Sequence, residues 1–104
     1  MAAISVPPHE PWVVARWAFR CLLDRTVRVV SDDDKDVLER AKALDGLHFD
    51  LLHKEEARRI SGAMMTAADE LQQELSDTDL TDPRDEEFAE ALLVLRVLLR
   101  DVGF

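Results

Sequence analysis

Apolar residues recur at steps of three and four through most of the chain, the spacing that gathers them on one side of an α-helix. Phe49, Leu52, Ile60, Met64, Ala67, Leu71 and Leu75 keep this phase, with Asp69, Glu70, Gln73 and Glu74 towards the other side. Phe88, Leu92, Leu95, Leu99 and Val102 repeat it near the C-terminus. Earlier, Ala15, Phe19, Leu22, Thr26 and Val29 form a stripe opposed by Arg16, Arg20 and Asp24, and a shorter stripe of Val37, Ala41 and Leu44 follows. Helices are therefore predicted at about 11–29, 33–44, 50–75 and 83–102.

The residues between the stripes support those limits. Pro11 suits a first helical turn, where its missing N–H costs nothing. Ser31 can cap the second helix, with Asp34 reaching back to it as in a capping box. Asp45-Gly46 reads as a stop, Asp82-Pro83 as a start, and Gly103 as the residue just beyond the last turn. Thr26–Val30 is rich in β-branched residues, but a lone strand there would have no partner, so the helix is preferred. The expected fold is all-α: a small antiparallel bundle of about four helices, with residues 1–104 as one domain and 1–9 as a flexible N-terminal segment.

Composition narrows the class. At 104 residues, 47% hydrophobic and 34% charged, the chain is apolar enough to fold and too charged to live in a bilayer. The lone Cys21 makes no intramolecular disulfide, and the N-terminus lacks the basic region and apolar run of a secretory signal, so a cytoplasmic protein is expected. A net charge of -9 argues against direct nucleic-acid binding and against an anionic membrane surface. That charge is unevenly spread. Residues 1–30 carry +2, residues 31–104 carry -11, and the stretch 69–90 alone holds ten acids against Arg84.

No residue set nominates a catalytic centre or a cofactor. Asp77, Asp79, Thr81 and Asp85 fall at calcium-loop spacing, but Asp82 replaces the turn glycine and Phe88 the bidentate glutamate. His48, Asp50, His53 and Glu56 cluster in sequence, and His53 and Glu56, three apart, share a helix face in the predicted third helix. Cys21 and Ser61 are both placed mid-helix, without the setting that activates a nucleophile.

Two helices carry more apolar surface than one buried side needs. Leu93 and Val97 lie outside the main stripe of the fourth helix, among Glu86, Glu90, Arg96 and Arg100. Val14, Trp17, Ala18 and Cys21 make a second stripe on the first helix, with Trp17 beside Arg20, and a tryptophan flanked by arginine is a common anchor of protein interfaces. The expected function is an acidic helical protein-interaction module, homodimeric, acting as an inhibitor, an immunity or antitoxin-like factor, or an adaptor. Its contact residues would be Trp17, Arg20, Leu93 and Val97. An acidic surface of Asp69, Glu70, Glu74, Glu86 and Glu90 would steer a basic protein partner. The alternative is a small-molecule or metal-binding bundle with activity around His48, His53 and Glu56.

Overall fold

Among the described residues four helices do form, but Ala2–Ser5 and Trp12–Val14 are strands of a sheet and no helix starts at Pro11. The computed structural model describes residues 1–7, 9–77 and 83–102. The elements are β1 (Ala2–Ser5), β2 (Trp12–Val14), α1 (Arg16–Val27), α2 (Asp32–Leu44) and β3 (Gly46–His48). A single 3-10 turn (Phe49–Leu51), α3 (Lys54–Asp77) and α4 (Pro83–Val102) follow. α3 packs against both α1 and α4, and α2 leans on α1. The architecture is mostly helical, yet it is not a pure antiparallel bundle.

The sheet has the order β2-β1-β3, with β1 antiparallel to β2 and parallel to β3. Its register places Ile4 between Trp12 and Leu47, and Ala2 beside Val14. All five of these side chains are buried against the helices, while Val13 and His48 on the other face are exposed. Residues 2–5, expected in a flexible segment, are thus the central strand, and alternation in Ala2, Ile4 and Val6 supplies the buried face. Trp12–Val14 leaves the predicted first helix for the same reason. β-Branched valines beside a tryptophan fit an extended strand, and β1 is there to pair with it. α1 accordingly starts after Ala15, not at Pro11.

From Ile60 onwards the long stripes pack much as their spacing implies, but α3 starts only at Lys54, so Phe49, Leu52 and His53 of the predicted third helix precede it. Ile60, Met64, Ala67 and Leu71 of α3 and Phe88, Leu92, Leu95 and Leu99 of α4 are buried. On α2 the expected Ala41 is buried together with Leu38, while Leu44 of the same predicted stripe is 74% exposed. Thr26 is fully buried, and its hydroxyl donates to the Leu22 carbonyl at 2.7 Å, so α1 continues through it to Val27.

One local expectation is corrected. Ser31 makes no side-chain cap, and Asp34 does not reach back to it. Asp34 is instead buried and takes a two-pronged hydrogen bond from Arg59 of α3, at 3.0 and 3.1 Å. The expected stop at Asp45-Gly46 does end α2: Asp45 takes the left-handed position (φ 53°) and Gly46 lies in β3. Asp45 also receives Arg16 Nε at 2.9 Å, an ion pair that ties the start of α1 to the start of β3. The predicted Asp82 cap, Gly103 stop and most of the calcium-like loop lie outside the described residues.

Candidate functional site

Trp17 stands on the first turn of α1 and remains 42% exposed because its indole lies at the edge of α4, not beneath it. Its ring meets Phe88 edge-on at a centroid distance of 5.3 Å. Arg84 of α4 lies over the same ring at 5.8 Å, a cation–π contact. The cationic neighbour of Trp17 is therefore a residue from the other end of the chain. Arg20 sits on the opposite side of Trp17, along a shelf with Cys21, Asp24, Arg25 and Arg28. Sequence spacing could suggest Arg20 but not Arg84, since nothing local signals a contact across 67 residues.

Trp17 also walls a cleft of about 410 Å³ at the junction of β2, α1 and α4. Its floor is Val14, Ala18, Phe88 and Ala91, and Arg84 and Glu87 stand at its rim. Trp12 fixes β2 against α4 here, donating from Nε1 to the Ala91 carbonyl at 2.8 Å. The cleft is thus apolar inside and charged at its mouth, the arrangement that accepts an apolar side chain and orients it.

Leu93 and Val97 are 48% and 65% exposed. Val94, absent from the sequence expectation, joins them at 53%. Together they form an aliphatic strip on the side of α4 turned away from α3. Three of the five acids expected to form one surface are already engaged by arginines. Arg25 binds Glu74 at 2.7 Å and approaches Glu70 at 3.5 Å, and Arg96 approaches Asp69 at 3.4 Å. The bond to Glu74 holds the Arg25 guanidinium charged even more firmly than usual. Glu86 and Glu90 are exposed and bracket the aliphatic strip on its N-terminal side. The acidic face is therefore partly neutralised on α3 and open on α4.

His48, Leu51, Leu52, His53 and Glu56 line a shallow groove beside α2, with Asp33, Asp36 and Arg40 opposite. Among the described residues no group of three or more His, Cys, Asp or Glu side chains converges as a metal site. Cys21 is exposed at the helix surface, yet partial desolvation raises its thiol pKa above the ordinary value despite nearby Arg25. Ser61 is buried within α3. Among the described residues no helix is long and apolar enough to cross a membrane. Comparison with known protein families, with curated proteins and with solved structures finds no match.

Proposed function

We propose that the chain is an acidic protein-binding module that pairs with a second copy of itself and holds a basic protein partner, as an inhibitor, an immunity or antitoxin-like factor, or an adaptor does. The observation that carries this reading is the strip Leu93, Val94 and Val97, three large aliphatic side chains left 48–65% exposed on one helix. Scattered apolar residues on a surface mean little, but a contiguous strip edged by charge is the pattern of an interface. The Trp17 cleft supplies a second anchor point, with Trp17 and Arg20 on its walls and shelf. Glu86 and Glu90 would draw a basic partner towards α4 and speed its encounter.

Sedimentation of the wild type and of a Leu93→Asp, Val97→Asp variant tests this. The wild type is expected at twice the 11.8 kDa chain mass and the variant at 11.8 kDa, with unchanged far-ultraviolet circular dichroism. A variant that unfolds would return these residues to the core of the single chain. A variant that stays dimeric would move the interface away from α4.

A further inference from the structure

The outward side of α4 carries a second repeat, distinct from the one that builds the core. Glu86, Glu90, Leu93, Val97 and Arg100 follow one another at steps of four, three, four and three, a 3.5-residue period. All five are exposed, whereas Phe88, Leu92, Leu95 and Leu99 point inward. The seam reads acid, acid, aliphatic, aliphatic, base along the helix. Val94 flanks the aliphatic pair. Neither Glu90 nor Arg100 enters any intrachain ion pair among the described residues.

Such a seam matches a second copy in only one direction and one register. A parallel, in-register pair would set Glu90 against Glu90 and Arg100 against Arg100, like charges face to face. Antiparallel pairing that keeps seam positions opposed has two close registers. One sets Leu93 against Glu90 and Val97 against Glu86, pressing carboxylates onto aliphatic side chains, which is costly. The other sets Leu93 against Val97 and Glu90 against Arg100. It stacks two Leu–Val layers around a two-fold axis and closes each end with an ion pair. At 1.5 Å per residue the two ion pairs stand roughly 15 Å apart.

We propose that a second copy of this chain docks antiparallel on α4 in this last register, with Leu93 facing Val97 and Glu90 facing Arg100 across the two-fold axis. The proposal rests on the self-pairing reading above and adds its direction and register. Arg84, Glu87 and Ala91 lie outside the seam, so the two Trp17 clefts stay open in the pair.

Charge exchange tests it. Glu90→Arg and Arg100→Glu, each alone, should raise the dimer dissociation constant about tenfold, because each sets like charges together at both ends of the interface. The two substitutions combined should bring it back to within about threefold of wild type. A combined variant as weak as either single one overturns the register. Disulfide trapping in a Cys21→Ser background reads direction independently. Glu90→Cys with Arg100→Cys should crosslink the two copies on oxidation, and Glu90→Cys alone should not. Crosslinking by Glu90→Cys alone overturns the antiparallel arrangement. A wild type that stays monomeric in sedimentation refutes the self-pairing reading as well. A dimer dissolved by Leu93→Asp with Val97→Asp, but not restored by charge exchange, refutes this proposal alone.

Discussion

Removing the Trp12 indole should unfasten the sheet from α4 at a cost of about 4 kcal/mol. Trp12 is 5% exposed, and it is the side chain by which β2 reaches α4. A tryptophan buries roughly 150–250 Å². At about 25 cal/mol per Å² that is ~4–6 kcal/mol, an upper bound because unfolded chains already shield some of that surface. Truncations of this class cost about 3–5 kcal/mol. Trp12→Ala is therefore expected to lose ~4 kcal/mol, out of the roughly 5–15 kcal/mol that holds a typical domain. Trp12→Phe separates the two contributions. It keeps an aromatic ring but loses the Nε1 donor, and the Ala91 carbonyl keeps its helical partner, so about 1–2 kcal/mol should go. Urea unfolding followed by circular dichroism measures both. A Trp12→Ala loss below about 0.5 kcal/mol would mean that β2 does not stabilise the fold, and the account of the first fourteen residues would fail.

Other positions test other parts of the account. Ile4→Ala, at a fully buried site in the central strand, should cost ~3 kcal/mol in the same assay, where a flexible segment would show almost none. Arg59→Ala should destabilise more than Asp34→Ala, because it leaves a buried carboxylate alone whereas the reverse change leaves a solvated guanidinium, and equal losses in urea unfolding would contradict this. Cys21, with its thiol pKa raised by desolvation, should react with iodoacetamide more slowly than a free cysteine at pH 7–8, although it is exposed. Its raised pKa contributes stability below the unfolded thiol's pKa, and that contribution fades as pH climbs through the folded value. Trp17→Ala should leave the dimer intact while weakening capture of a basic partner, and loss of the dimer instead would place Trp17 in the self-interface.

Long helices were legible because a 3.6-residue repeat sustained over about three turns is hard to produce by chance. The runs Ile60–Leu71 and Phe88–Leu99 are of that length, and their buried sides match the repeat. Strands of three or four residues hold too little alternation to be read, and β1 is defined by partners 10 and 43 residues away. A separation of 25 residues likewise hid Arg59 from Asp34, which local spacing made a capping residue. Asp45 took the left-handed position because aspartate tolerates it, and Arg16 holds it there, so Gly46 was free to join β3. On the candidate surface, Leu93 and Val97 were readable as surplus positions, since the core stripe runs elsewhere on α4. Val94, 53% exposed, was not read as one of them. The acidic set divided because Arg25 of α1 and Arg96 of α4 reach across to α3.

The most direct test of the interaction-module reading is native mass spectrometry on the protein purified gently from its own source. The account predicts two copies of the 11.8 kDa chain together, alone or carrying a second, basic chain. A bare single chain, or a single chain retaining a stoichiometric metal or small ligand, would contradict it and turn attention to the groove around His48, His53 and Glu56.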